Sequence, residues 1–149
     1  MHHQQIEHFH EPQPYILVVD DDIDDLEMLS FELKMKGIKV KTFESPTKAL
    51  LYLTLMSGNN ELPSLIILDY NMPQRNGRQV LLSIKDNNDT KEIPVIIYST
   101  GMCAILKTKL LAAGALDCID KPWNSKELNV NIELFQKLAF PYKSDKKLA

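Results

Sequence analysis

The chain has 149 residues, about the length of one ordinary domain, so an enzyme with a separate output module is not expected. Hydrophobic residues make up 44% and charged residues 25%, the composition of a globular protein with a hydrophobic core. The net charge of −3 argues against electrostatic binding of nucleic acid, and no apolar run approaches the roughly 18–20 residues of a membrane span. Because the amino terminus lacks the apolar core of a signal peptide, we expect a cytoplasmic protein.

The two ends of the chain differ in composition from the rest. Residues 1–14 show neither helix nor strand periodicity and end in Pro-Gln-Pro, and residues 141–149 are polar and rich in lysine. We therefore predict flexible tails at 1–14 and 141–149 and a single domain at 15–140. The histidines near the amino terminus could bind a transition metal, but nothing nearby would preorganise them, so a flexible tail is the preferred interpretation.

Between these ends, short apolar runs alternate with stretches of helical periodicity. The first run, Ile16–Val19, precedes a helical pattern that reaches Gly37, a typical residue after a helix. Ser45-Pro46 supplies an N-cap and a first-turn proline, and Asn124 to Glu127 has the pattern of a capping box. The predicted strands lie at 16–19, 40–43, 65–68, from 94 onward and at 116–119. The apolar residues expected to face the core from the helices are Ile23, Leu26, Leu29 and Leu33, then Ala49, Leu50 and Leu53, then Val80, Leu81 and Ile84, then Leu106, Leu110 and Ala113, and finally Leu128, Ile132, Phe135 and Ala139.

Five strands that alternate with five helices predict a parallel sheet covered on both faces. The runs at 16–19, 65–68 and 95–98 are continuously apolar, as doubly covered parallel strands are. The right-handed crossover rule leaves few topologies for this pattern. We predict an α/β, flavodoxin-like, doubly wound fold of three α/β/α layers with strand order 2-1-3-4-5.

Polar residues follow four of the predicted strands, at the sheet edge where open α/β folds bind ligands. They are Asp20–Asp22 after the first strand, Asp69–Asn71 after the third, Ser99–Gly101 after the fourth and Asp120–Pro122 after the fifth. Two carboxylates about 4 Å apart repel by roughly 4 kcal/mol at an effective dielectric constant near 20. If Asp69 approaches Asp20 and Asp21, the cluster therefore needs a cation.

Oxygen ligands without nearby histidine or cysteine favour Mg²⁺ over zinc. Lys121 would add a second positive charge and Ser99 a hydroxyl donor. A carboxylate nucleophile, a divalent cation, a lysine and a hydroxyl are together what phosphoryl transfer needs.

Other residues are interpreted as structural: Asp22, Asp24, Asp25 and Glu27 as a solvated helix start, Met28 and Met35 as core edge, Tyr98 as core or rim, and Trp123 as packed beside Pro122.

With these residues identified, the chain resembles the receiver domain of two-component response regulators. The resemblance runs from Tyr15 to about Ala139 and is carried by four segments in the order and spacing of that family. They are ILVVDDD (16–22), LIILDYNMPQRNG (65–77), VIIYSTG (95–101) and DKPWN (120–124).

The resemblance implies a role for each site residue. Asp69 would accept a phosphoryl group from a histidine kinase phosphohistidine or from acetyl phosphate, and Ser99 and Lys121 would hold the phosphoryl oxygens. Asp21 and Asp69 would ligate Mg²⁺ through side chains, Asn71 through its backbone carbonyl and Asp20 mainly through water. Receivers usually have a cis peptide bond at the position of Lys121–Pro122. Such a domain signals and is not an enzyme beyond its own phosphotransfer and dephosphorylation.

Three features depart from the common receiver pattern. Cys118 occupies the position that usually carries a Tyr or Phe switch residue. The loop at Ser57–Pro63 is longer than in chemotaxis-type receivers, and together with the segments 76–85 and 87–94 it resembles the phytochrome-associated single-domain regulators. The nine residues after Phe140 cannot fold into an output domain, so we expect signalling through another protein.

The resemblance implies a sensor histidine kinase or a histidine phosphotransfer protein as one partner, and a downstream protein that the sequence does not name. The face formed by helix 4, strand 5 and helix 5 is the expected partner or homodimer surface, with no role for nucleic acid or a membrane. Two alternatives remain open: a haloacid-dehalogenase-type phosphatase with Asp20 as nucleophile, and a pseudo-receiver adaptor that is never phosphorylated.

Overall fold

The computed structural model describes residues 13–141. The predicted tails at 1–14 and 141–149 therefore lie outside the described residues, apart from Gln13, Pro14 and Pro141. The described chain forms ten elements in strict alternation: β1 (Ile16–Val19), α1 (Ile23–Met35), β2 (Val40–Phe43), α2 (Pro46–Ser57), β3 (Leu65–Leu68), α3 (Gly77–Lys85), β4 (Val95–Ser99), α4 (Ala104–Ala112), β5 (Asp117–Asp120) and α5 (Ser125–Ala139).

The strands form one parallel sheet in the order β2-β1-β3-β4-β5, which confirms the predicted fold class and strand order. Val19 of β1 is in register with Leu68 of β3, so the residues that follow these strands start from neighbouring positions. Ser99 of β4 is in register with Asp120 of β5. The register therefore brings the polar strand ends together at one edge of the sheet.

Side chains alternate between the two faces of the sheet and build a core on each. On one face, Leu17 and Val19 pack in a cluster with buried residues of α2, α3 and α4. On the other, Ile16 and Val18 pack with buried residues of α1 and α5. Complete burial of one such aliphatic side chain contributes about 1.5–3 kcal/mol, so the two clusters hold the strand ends in place.

The helix ends show which cap predictions were correct. Gly37 has φ +75°, as expected for the residue that ends α1, and the Ser45 hydroxyl accepts a hydrogen bond from the Lys48 N–H. The Asn124 side chain accepts from the Glu127 N–H, but the Glu127 carboxylate accepts from the Trp123 N–H rather than from that of Asn124. The capping box predicted for α5 is therefore only half formed.

A complete capping box that the sequence analysis did not identify opens α3. The Asn76 side chain accepts from the Gln79 N–H at 3.0 Å, and the Gln79 side chain accepts from the Asn76 N–H at 2.9 Å. These two bonds fix the start of the helix that follows the β3 loop.

Four predictions about burial were wrong. On α1 the stripe containing Leu26, Leu29 and Leu33 is buried as expected, whereas Ile23, in the first turn, is exposed, as are Met28 and Met35. Trp123 does not pack beside Pro122: 91% of its surface is exposed.

No helix within residues 13–141 is long and apolar enough to cross a membrane.

Candidate phosphoryl-transfer site

Three carboxylates meet at the carboxyl edge of the sheet. Oxygen atoms of Asp20, Asp21 and Asp69 lie within 4.8 Å of one another. Asp20 and Asp69 are 5% and 6% exposed, while Asp21 faces the solvent. This arrangement follows from the sheet register, because β1 and β3 end side by side.

Lys121 follows β5 and brings its ammonium group to these carboxylates. Its Nζ lies 2.8 Å from Asp20 Oδ2 and 3.7 Å from Asp69 Oδ1. The same Nζ lies 2.8 Å from Asp25 Oδ2, in the first turn of α1. Burial alone would lower the pKa of Lys121, but hydrogen bonds to Asp20 and Asp25 hold that pKa above its usual value. The lysine therefore stays charged.

Burial makes the ionised forms of Asp20 and Asp69 unfavourable. Burial raises the pKa of Asp20 to about 6, although hydrogen bonds from Lys121 and the Asp22 N–H oppose the shift. Burial likewise raises the pKa of Asp69, against the charge of Lys121, a hydrogen bond with Ser99 and one from the Tyr70 N–H. The single ammonium of Lys121 therefore does not fully offset the carboxylates, and the site favours a further cation.

Ser99 completes the set of groups around Asp69. It is only 1% exposed, and its side chain is hydrogen-bonded to Asp69. The backbone N–H of Lys121 donates to the Ser99 carbonyl at 3.0 Å, so the ends of β4 and β5 are tied together beside the carboxylates. Serine, lysine and aspartate thus come from three strands of one sheet.

Gly77 holds the segment after β3 in place, a role that the sequence analysis missed. Its N–H donates to the Tyr70 carbonyl at 2.8 Å. A Cβ at this position would lie 2.6 Å from the Asp69 carbonyl oxygen and 2.8 Å from the Tyr70 Cα. Only glycine therefore allows α3 to start this close to Asp69, and the Asn76-Gly77 pair at the start of the helix is the sequence signal for it.

The structure brings most of the predicted site residues together. It brings together Asp20, Asp21, Asp69, Ser99 and Lys121, and it places the exposed Asn71 two residues beyond Asp69. Asp22 is the N-cap of α1, as its structural interpretation required. Asp25 is not only part of a solvated helix start, because it binds Lys121. The Lys121–Pro122 peptide bond is trans, the isomer that X–Pro bonds generally prefer, and not cis as expected.

Cys118 lies where the resemblance leads one to expect an aromatic residue. It is buried in β5, in register with Ile97, and belongs to the core cluster on the face of the sheet that α2, α3 and α4 cover. Its thiol is small, so this position carries no ring that could move between the core and the surface.

The donor set fits a hard divalent cation. Asp20, Asp21 and Asp69 offer only carboxylate oxygens, and two of these carboxylates carry a raised pKa that a nearby positive charge would relieve. Mg²⁺ prefers such oxygen ligands and usually retains several waters, for which the exposed side at Asp21 provides access.

Sequence comparisons agree with this geometry. Residues 16–133 match a family model described as the response regulator receiver domain. The chain is 34% identical over 130 residues to two-component response regulator ARR16 of Arabidopsis thaliana, covering 81% of this chain and 78% of that protein. The chain spans 78% and 82% of the length of some curated relatives that it matches, but only 57% and 48% of others.

Solved structures give the same result. The phosphorylated cyanobacterial phytochrome response regulator RcpA superposes with a TM-score of 0.76 at 26% identity, covering 86% of this chain and 94% of that chain. The Mn²⁺-bound response regulator Rcp1 superposes with a TM-score of 0.73 at 27% identity, covering 84% and 93%.

Proposed function

The chain belongs to the family of response regulator receiver domains, and we propose that Asp69 is its phosphoacceptor in a Mg²⁺-dependent transfer from a phosphohistidine. The observation that carries the proposal is the meeting of Asp20, Asp21 and Asp69 with the Lys121 ammonium 2.8 Å from Asp20 and 3.7 Å from Asp69. Receiver domains take part in two-component signalling, so this chemistry is that of a signalling domain and not of a classical enzyme.

In the proposed reaction, a carboxylate oxygen of Asp69 attacks the phosphorus of the donor. A P–O bond forms while the P–N bond breaks, and the electron pair of that bond goes to the imidazole nitrogen. The donor leaves as neutral imidazole when its other ring nitrogen carries a proton. The Lys121 ammonium and the Ser99 hydroxyl donate hydrogen bonds to the phosphoryl oxygens, where negative charge accumulates.

Asp20, Asp21 and Asp69 would hold the Mg²⁺, together with the backbone carbonyl of Asn71. The ion supplies positive charge that offsets the carboxylates and the phosphoryl oxygens. The fit of the donor set and the raised pKa of Asp20 and Asp69 support this assignment. A related protein, Rcp1, is described in a Mn²⁺-bound form.

We further propose that the receiver unit is 15–140 and that phosphorylation changes its protein-binding surface. Its phosphodonor would be a sensor histidine kinase or a histidine phosphotransfer protein, since receivers interact with such proteins. The face of α4, β5 and α5 is the proposed surface for a downstream protein or for a homodimer. The cytoplasmic location expected from the sequence stays a prediction.

No observation favours either of the two alternatives, the haloacid-dehalogenase-type phosphatase or the adaptor that is never phosphorylated. As the nucleophile of a phosphatase, Asp20 would have to give up two partners, because its Oδ1 accepts from the Asp22 N–H at 3.0 Å and its Oδ2 binds Lys121. For an adaptor that is never phosphorylated, the mutual repulsion of the buried carboxylates would be a cost without a use.

The test is incubation with acetyl phosphate and Mg²⁺, followed by intact-mass measurement. We expect the wild type to gain the mass of one phosphoryl group, and the gain to disappear in EDTA and in Asp69→Asn. An adduct that persists in Asp69→Asn, or a wild type that gains nothing, overturns the proposal. Steady hydrolysis of a phosphate ester that depends on Asp20 would instead support the phosphatase.

A further inference from the structure

The ammonium of Lys121 is shared between two carboxylates, and one of them lies outside the cluster of Asp20, Asp21 and Asp69. The Lys121 Nζ is 2.8 Å from Asp20 Oδ2 and also 2.8 Å from Asp25 Oδ2. Its distance to Asp69 Oδ1 is 3.7 Å, which is longer than a hydrogen bond. The lysine is therefore held on the α1 side of the site and set back from the carboxylate that would react.

From this geometry we propose that Asp25 is a positioning residue for phosphoryl transfer. Together with Asp20, it holds the Lys121 ammonium away from Asp69, so that a phosphoryl oxygen can enter between Lys121 and Asp69. The inference rests on the proposed function of Asp69 and adds a residue to it. Asp25 acts through Lys121 and need not touch the phosphoryl group.

The backbone around Asp25 fixes the position of its side chain. The Asp22 carboxylate caps α1 and accepts hydrogen bonds from the N–H groups of Asp24 and Asp25 at 3.1 and 3.2 Å. Asp25 therefore projects from a capped first turn that a helix N-cap holds rigid. Its side chain is 37% exposed, and its oxygen still reaches Lys121 at hydrogen-bond distance.

Without Asp25, the ammonium would have Asp20 and Asp69 as its remaining close acceptors. It would then move toward Asp69 and pair directly with the carboxylate that must act as nucleophile. Such a pair has to separate before the phosphoryl group can enter, and a donor that is already in place avoids this reorganisation. The charge on Asp25 thus speeds transfer by keeping Lys121 where the phosphoryl oxygen will be.

The helix offers a matched control for the general effect of acidic residues at a helix start. Asp24 and Asp25 both lie in the first turn of α1, where a negative charge favours the helix. Asp24 is exposed, and the ion pairs of Lys121 in the described part of the chain involve Asp20, Asp25 and Asp69 only. Asp24→Asn removes the same charge from the same turn without touching the lysine.

The experiment measures the rate of Asp69 phosphorylation by acetyl phosphate in the full chain at saturating Mg²⁺. A partly exposed ion pair is worth enough to change a rate by about three- to fivefold. We expect Asp25→Asn to slow the maximal rate by about that factor, Asp25→Glu to recover most of it, and Asp24→Asn to match the wild type. A urea unfolding curve for each variant establishes that it is folded.

Three results would overturn the inference. In the first, Asp25→Asn and Asp24→Asn react equally fast. In the second, Asp25→Asn reacts faster than the wild type, which would mean that Asp25 restrains Lys121 from its task. In the third, Asp25→Asn is slower than the wild type at limiting Mg²⁺ but equally fast at saturating Mg²⁺, which would make Asp25 part of cation binding. Failure of the proposed function looks different, because the wild type itself would then gain no phosphoryl group on Asp69.

Discussion

Replacing Asp20 with Asn should stabilise the metal-free protein, although it removes a residue of the proposed site. The folded protein keeps the Asp20 carboxyl protonated up to a pKa of about 6, whereas an unfolded chain releases that proton near 3.8. The folded state binds more protons between these values, so stability falls as the pH rises from about 4 to 6 and stays lower above that range.

The size of the stabilisation expected for Asp20→Asn follows from the shift in the pKa of Asp20. Each unit of pKa corresponds to about 1.36 kcal/mol, so the ionised Asp20 carboxylate costs about 3 kcal/mol at neutral pH. Asn resembles the protonated acid in shape, and its carbonyl oxygen can still accept from the Asp22 N–H. We therefore expect Asp20→Asn to raise the free energy of unfolding by about 2–3 kcal/mol in EDTA, and by much less near pH 4.

Urea unfolding in EDTA at about pH 7.5 and about pH 4 measures both values. Asp21→Asn is the matched control, because it makes the same change at the next residue, where the carboxylate is exposed. Both variants should weaken Mg²⁺ binding, but only Asp20→Asn should stabilise the metal-free protein. If Asp20→Asn leaves stability unchanged or lowers it at neutral pH, the buried carboxylate does not carry the cost assigned to it.

Three further predictions follow from other parts of the structure. Gly77→Ala should lower the free energy of unfolding by about 1–3 kcal/mol and slow phosphorylation, because the added Cβ would overlap the Asp69 backbone. Gly58→Ala is the control in the same urea-unfolding assay and should be nearly neutral, since the nearest atom to its added Cβ would be 3.8 Å away. Asn76→Ala should cost about 1 kcal/mol in the same assay through loss of the α3 cap, and Asn76→Ser should recover most of it. Mg²⁺ at 100 times its dissociation constant should add about 2.7 kcal/mol to the stability of the wild type and nothing to Asp69→Ala, and equal stabilisation of both would argue against a site that includes Asp69.

The fold could be predicted because local signals agree with one another along most of the chain. Continuous apolar runs at 16–19, 65–68 and 95–98 became buried central strands, and the helical spacing of Leu26, Leu29 and Leu33 marked the buried face of α1. The last strand was placed one residue early, at 116–119 instead of Asp117–Asp120, because Leu116 is apolar yet half exposed at its start. Apolar character alone does not fix where an edge strand begins.

The candidate site was predictable to the extent that it depends on strand ends. Parallel strands place their carboxyl ends on one edge, so the types of residue after them indicate which side chains meet. Asp25 was missed because it lies in the first turn of α1 and does not directly follow a strand, and because its partner Lys121 is 96 positions away in the sequence. Only the three-dimensional fold, which brings the Lys121 ammonium to the first turn of α1, distinguishes Asp25 from the other acidic residues of that helix.

Exposed apolar residues were the least predictable feature. Met28 and Met35 were assigned to the core edge and Trp123 to packing against Pro122, yet all three side chains are exposed. An apolar side chain gains by burial only if a neighbouring element leaves a space for it, and the sequence does not show that space.

The most direct test of the site is a crystal structure of the protein with Mg²⁺ and beryllofluoride, a phosphoryl mimic. The account predicts the beryllium on an Asp69 oxygen, the magnesium bound by carboxylate oxygens from β1 and β3, and both Lys121 and Ser99 donating to the fluorides. Beryllofluoride attached to another residue, or a Lys121 ammonium directed away from the fluorides, would contradict it.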